Sequence, residues 1–371
     1  MRHPAGLRRR PEAVFPSRSD NATAVGAAAG RRWRAQRVMA CACLAFTVSI
    51  RAAKGAHPAG QSADGSCAVA VTVVRDAGPP YPWPGFPRPL PAGKFYPPTI
   101  VAAVPGLPPE SFSAYEKVRH GWHPIGVLSA EEDSGGHRIV LVVGHATADD
   151  RRQPMLGAVP AAIERILAKA RAQDSFALLI AGDGPIQLGF GSGRDAVWAA
   201  TERIRNRTEW GDQRTAIVDA LLEAVSWFRS PQLGDSIILF GALPHEPRGR
   251  ISRLRASLTT AHARLLVFSA SDLVTTGGDL VSGTWVSPLA QLIAESGGGA
   301  QAVGYIPTKR ADDYLWLWQA EAESVYAMTS SVYILRVQRT GGDIVIDLSP
   351  QFREELPRAV VMHPRPLLDC R

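Results

Sequence analysis

The chain has 371 residues, 46% hydrophobic and 20% charged, a globular composition long enough for two or three compact units. Lys and Arg total 41 against 34 Asp and Glu, a formal charge of +7. That excess sits in residues 1–60, with 11 basic and two acidic side chains. The remainder carries 30 against 32, so a basic domain for nucleic acid is excluded.

Residues 1–60 read as a leader. Arg31, Arg32, Arg34 and Arg37 precede Val38–Ile50, thirteen uncharged and mostly apolar residues. As a helix these would rise about 20 Å, short of a bilayer core of about 30 Å. A basic stretch before a short apolar one is the pattern of a secretory signal, which predicts a periplasmic or secreted protein that meets a membrane only during export. The competing reading is a disordered arm with a short buried helix. Cys41 and Cys43 lie in the apolar stretch and would leave with it. Cys67 and Cys370 then stand near the two ends of the body, where an oxidising compartment permits a disulfide; two free thiols are the alternative.

Residues 68–74 alternate as a β-branched strand. Nine prolines between Pro79 and Pro98 exclude helix and central strand, leaving an extended excursion or a polyproline ligand. Short strands and turns are expected across Gly106–Glu116 and Trp122–Leu128, with Glu131–Gly136 as a linker, making residues 61–136 a small β unit. From Ile139 the texture changes. Apolar runs at 139–143, 176–181, 236–240 and 264–270 alternate with helical faces: Leu156 to Ala170, Ile217 to Phe228, Ser252 to His262, and Leu289 to Ile293 before Gly297. Uncharged strands alternating with helices predict an α/β fold over residues 137–306, with a doubly wound, mostly parallel sheet covered on both faces. Residues 307–371 are expected to be a tail: a helix over Tyr314–Met328, then a β-hairpin pairing Ser331–Gln338 with Asp343–Leu348 across Thr340-Gly341-Gly342.

The order of these segments resembles a von Willebrand factor type A domain. The run Arg214-Thr215-Ala216-Ile217-Val218-Asp219-Ala220-Leu221 carries the most specific match. Gly106-Leu107-Pro108-Pro109-Glu110 before the domain and Leu289 to Gly298 after it are similar to an exported bacterial subfamily in which a small β unit precedes that domain. The resemblance covers residues 68–348. It implies a divalent cation at the C-terminal edge of the sheet, held by an Asp-x-Ser-x-Ser loop, a Thr and a second Asp. Gly144, Ala146 and Ala148 occupy the first-loop positions, Thr215 is retained, and Gly241 replaces the last Asp. One hydroxyl is a poor substitute for an octahedral oxygen shell, so no metal and no other cofactor is expected. Starting the loop at Asp149 puts Arg151 and Gln153 at the Ser positions and does not restore the site, which leaves Asp149 and Asp150 as loop acids.

Enzyme chemistry finds no pattern. A Gly-x-Ser-x-Gly elbow fails around Ser192, whose flanking positions are Phe190 and Arg194. The glycines at 182–193 lack a phosphate-loop ending and read as a hairpin turn around Ile186–Leu188. The histidines are scattered, with His120 and His123 the closest pair and no metal-ligand spacing. Tyr314, Trp316 and Trp318 form an aromatic cluster that reads as core more than binding face. The expectation is an exported, non-catalytic protein-interaction protein for adhesion or assembly, its partner a protein of unknown identity. The sheet-top loops would meet that partner, through His145, Asp149, Asp150, Arg214, Thr215 and His245. The alternative is a secreted hydrolase with an unrecognised active site.

Overall fold

The computed structural model describes residues 66–76, 101–144, 154–182, 186–205, 216–241, 248–269, 288–302, 311–338 and 343–365. The alternation at 68–74 forms β1 (Ser66–Asp76), with Val69, Val71 and Val73 facing one apolar cluster and Ala70 another. β2 (Val101–Ala103) pairs with the end of β1. β3 (Phe112–Val118), β4 (Gly121–Ile125) and β5 (Val127–Glu132) follow in close succession.

The stretch expected to be a linker is a packed joint. Asp133 is buried, its carboxylate accepts from Gly135 N at 2.8 Å, and its carbonyl accepts from Arg171 Nη1 at 3.1 Å. A Cβ on Gly136 would lie 2.2 Å from the Gln173 carbonyl oxygen, so only glycine allows this approach.

β6 (Arg138–Val143) then opens the α/β part. It is followed by α1 (Pro154–Lys169), β7 (Ser175–Ile180), β8 (Ile186–Leu188), α2 (Arg194–Arg205) and α3 (Ala216–Ser226). Next come β9 (Ser236–Phe240), α4 (Arg248–Thr260), β10 (Arg264–Ser269), α5 (Pro288–Glu295) and β11 (Ala300–Ala302). The six strands lie in the order β11-β10-β9-β6-β7-β8, all parallel except β8, which returns antiparallel along β7. Side-chain alternation divides the core. Ile139, Leu141 and Val143 face α1 and α2, while Val140 and Val142 face α3, α4 and α5. α2 was not expected; its sequence is polar, and only Val197, Ala200 and Ile204 join the core.

α6 (Ala311–Ser330) completes the first face, inserting Trp318, Ala322, Val325 and Met328. The chain ends through β12 (Val332–Gln338), β13 (Ile344–Leu348), α7 (Pro350–Glu355) and β14 (Ala359–Met362). β12 and β13 do not form the expected hairpin. β12 is inserted between β1 and β5, whereas β13 pairs with β3. The reason is burial: β12 is buried along most of its length and needs partners on both sides, which β13 cannot supply. The resulting sheets, β14-β1-β12-β5 and β13-β3-β4, are antiparallel and enclose an apolar cluster built from residues before and after the α/β part. The molecule as a whole is therefore mixed; mostly parallel describes its central sheet alone. Residues 52–371 form one unit.

Candidate functional site

In the central sheet the order reverses between β6 and β9, and β-α loops leave that point in opposite directions. Such a switch, at the carboxyl ends of parallel strands, is where open α/β sheets present a crevice. Gly144 follows β6 and Gly241 follows β9. Gly144 N donates to the Phe240 carbonyl at 2.9 Å, and Gly241 N donates to the Phe268 carbonyl at 2.9 Å. Each glycine thus caps the ladder by one more hydrogen bond. Gly241 has φ +138°, and a Cβ there would lie 3.2 Å from the Gly144 carbonyl oxygen. A Cβ on Gly144 would meet the Ile217 side chain at 3.0 Å. Ile217 is buried in the first turn of α3, so an aliphatic group stands where a carboxylate from residue 144 would have to pass.

A hard cation asks for about six oxygens near 2.1 Å. Among the described residues, this switch presents the backbone of Gly144 and Gly241 and the side chain of Ile217 from α3, none of them a carboxylate or hydroxyl. Among the described residues no group of three or more His, Cys, Asp or Glu side chains is arranged to hold a metal. His145, Ala146, Ala148, Asp149, Asp150, Arg214, Thr215 and His245 lie outside the described residues.

Solved structures with similar architecture include BatB, a conserved hypothetical protein from Bacteroides thetaiotaomicron, at 19% identity and a TM-score of 0.36. The match covers 53% of this chain and all of that one. Another is a von Willebrand factor type A protein from Catenulispora acidiphila, at 15% identity and a TM-score of 0.36, covering 59% of this chain and 50% of that one. A third is the SpRpn10 VWA domain, at 12% identity and a TM-score of 0.34, covering 48% and 93%. No protein-family model and no curated protein matches the sequence.

A fold leaves ligand identity open.

The other end of the central sheet carries the strongest electrostatics. Arg264 begins β10, is 1% exposed, and reaches out of the domain. Its Nη1 donates to Thr72 Oγ1 of β1 at 2.6 Å and to the Met328 carbonyl at 3.2 Å. Its Nη2 donates to Ser236 Oγ and to the Thr329 carbonyl, each at 3.0 Å. The guanidinium thereby satisfies carbonyls at the C-terminal end of α6. Burial lowers its pKa to about 10. Beside it, His137 is held down to about 4 by burial and then by Arg171 and Arg264. Tyr326 of α6 donates to Asp174 at 2.6 Å and accepts from Arg171 N at 2.8 Å. This seam joins the α/β part to the antiparallel β sheets.

A second buried acid lies within α6. Glu321 is fully buried, takes a hydrogen bond from Gln301 of β11, and is pushed up to about 8 by burial. Neither group was expected. The signal available for Arg264 was a lone cation opening an otherwise uncharged strand; for Glu321 it was an acid on the apolar stripe of a helix. The aromatic cluster divides: Trp318 is buried against Phe268, with ring centroids 4.8 Å apart, and Trp316 is 43% exposed. His120 and His123 are both exposed around the β3–β4 turn. The glycines before Arg194 open α2, while Ile186–Leu188 makes the expected hairpin with β7. Ser192 donates to the Gly189 carbonyl at 2.8 Å within that turn.

Proposed function

We infer that this chain is an exported, non-catalytic protein-interaction protein, of the adhesion or assembly kind, whose type A-like domain meets a protein partner without a bridging cation. The observation that supports the reading is the switch point between β6 and β9, where a Cβ on Gly144 would meet Ile217 at 3.0 Å and one on Gly241 the Gly144 carbonyl oxygen at 3.2 Å. Domains of this fold often recruit a partner carboxylate through such a cation. Here recognition falls to the loops of residues 144–153, 211–216 and 241–250, rich in His, Asp and Arg. Export is supported by the basic and then apolar leader, and no helix among the described residues is long and apolar enough to cross a membrane.

Cross-linking mass spectrometry in the native cell envelope tests the reading. Links from the sheet-top loops to one partner should persist in EDTA and disappear in an Asp149→Lys, Arg214→Glu double variant. Strict EDTA sensitivity would count against it, as would a hydrolase screen of the mature chain that finds turnover abolished by one substitution.

Export also bears on the cysteines. Cys67 is buried at the start of β1, and β14 runs antiparallel to β1, so the chain leaves Met362 in the direction of Cys67. This supports a Cys67–Cys370 disulfide, although Cys370 lies outside the described residues. Non-reducing mass spectrometry of exported protein should find the linked peptides; two free thiols would exclude the pairing.

A further inference from the structure

The hairpin of β3 and β4 projects from the antiparallel sheets. β13 accompanies β3 only as far as Glu116, opposite Ile344, and Lys117 N then donates to the Asp343 carbonyl at 2.8 Å. Beyond that rung, among the described residues, the two strands pair only with each other, Lys117 opposite Trp122 and Val118 opposite Gly121. Residues 117–124 are all exposed.

This tip is apolar on both faces. Val118 is 38% and Trp122 50% exposed, two of the four large apolar side chains left in water among the described residues. Val118 continues the row of Phe112 and Ala114, which is buried at the base of the hairpin, whereas Trp122 lies beside Lys117 on the other face. The tip is also basic. Lys117 and Arg119 are joined by no acid between residues 117 and 124, in a chain that is slightly acidic beyond residue 60. Acids return at the base, with Glu116 and the exposed Asp343.

These features select among partners. A protein surface of ordinary flatness would cover one face and leave the other apolar side chain in water. A long polyanion would run on from the tip toward Glu116 and Asp343 and be repelled there. A lipid interface surrounds whatever enters it, and it favours tryptophan among its headgroups with Lys and Arg reaching phosphate. At about 3.4 Å per residue the ribbon stands about 10 Å beyond Glu116, which matches the depth of an interfacial contact.

We propose that the tip of the β3–β4 hairpin, residues 117–122, is a contact site for an anionic membrane surface. Val118 and Trp122 enter the headgroup layer, and Lys117 and Arg119 meet its phosphates. The contact is independent of the sheet-top loops and extends the chain's dealings with a membrane beyond export.

Hydroxyl-radical footprinting of the full chain, read by mass spectrometry, follows Trp122 against Trp316, an internal standard 43% exposed on α6. Vesicles of equal parts phosphatidylglycerol and phosphatidylcholine should lower the ratio of Trp122 to Trp316 oxidation about threefold, and phosphatidylcholine alone should leave it unchanged. Salt at about 1 M, where the Debye length falls to about 3 Å, should remove the protection. So should a Lys117→Glu, Arg119→Glu double variant, whose ratio without vesicles reports whether the hairpin is intact. The comparison of the two lipids uses the unaltered chain and stands whether or not the variant folds. An unchanged ratio with the anionic vesicles would overturn the proposal, as would equal protection by phosphatidylcholine. Residues 1–60 are present in every sample, so protection that survives in an intact double variant would come from elsewhere and overturn it too. Protection without lipid that grows with protein concentration would assign the tip to a second copy instead.

Discussion

Gly144 and Gly241 leave little room for side chains at the ends of β6 and β9. An aspartate at 241 would impose a Cβ at φ +138° and 3.2 Å from a carbonyl oxygen; one at 144 would have to displace Ile217. Gly241→Asp is expected to cost about 1–3 kcal/mol in denaturant unfolding, and Gly144→Asp with Gly241→Asp should not create cation binding while Ile217 remains. The departure from an acidic pair was legible in the sequence. The contact with Ile217 was not, since that side chain arrives from α3, more than seventy residues later.

Glu321 makes a second prediction at the same scale. Its pKa is raised from an ordinary 4.5 to about 8 by burial, so between these pH values the folded chain holds a proton that the unfolded chain has lost. Stability must then fall as pH rises through that window, by about 1.4 kcal/mol per pH unit where the difference is complete. His137, lowered from 6.5 to about 4, acts in the opposite sense below 6.5. Above 6.5 Glu321 stands unopposed by this histidine. Glu321→Gln should therefore raise the thermal midpoint at pH 8 and leave it nearly unchanged at pH 4. A variant whose profile keeps the wild-type slope between pH 6.5 and 8 would exclude Glu321 as its source.

Among the elements, those with a strong period were legible. β6, β7, β9 and β10 are apolar runs that could only be buried strands, and α1 and α3 carry full apolar stripes. α2 was not legible, because its apolar residues, Val197, Ala200 and Ile204, are too few to outweigh its charges. The pairing of β12 was misread for a different cause. Thr340-Gly341-Gly342 is a sound local turn signal, but β12 gains more from lying between β1 and β5 than from a local partner, and local sequence carries no record of strands that left the ribosome more than 200 residues earlier.

Arg264 is what links these elements across the seam. Truncating it would remove the guanidinium from the Thr329 carbonyl and from the Thr72 and Ser236 hydroxyls, and leave the Met328 carbonyl with the long 3.4 Å bond from Thr72 Oγ1. Arg264→Met is expected to lower stability by about 3–5 kcal/mol in urea unfolding. Arg264→Lys should recover only part of that, because one ammonium cannot span both arms of the network. A loss under about 1 kcal/mol for the methionine variant would mean the seam is held by packing alone.

For the whole molecule, strands from both ends of the chain share their sheets. A chain ending at residue 306 would strip β1 of β12 and β14, strip β3 of β13, and remove α6 from the first face of the central sheet. Such a truncation should show neither a cooperative melt nor native near-ultraviolet dichroism; a cooperative transition would establish the α/β part as independent. The positive charge, seen at this scale, belongs to residues 1–60, and the rest of the chain is slightly acidic.

The central claim is recognition without a cation, and calorimetric titration of Mg²⁺ and Mn²⁺ into the purified mature chain tests it most directly. The account predicts no heat beyond dilution, with or without Thr215→Ala. Tight, saturable binding that Thr215→Ala abolishes would contradict it.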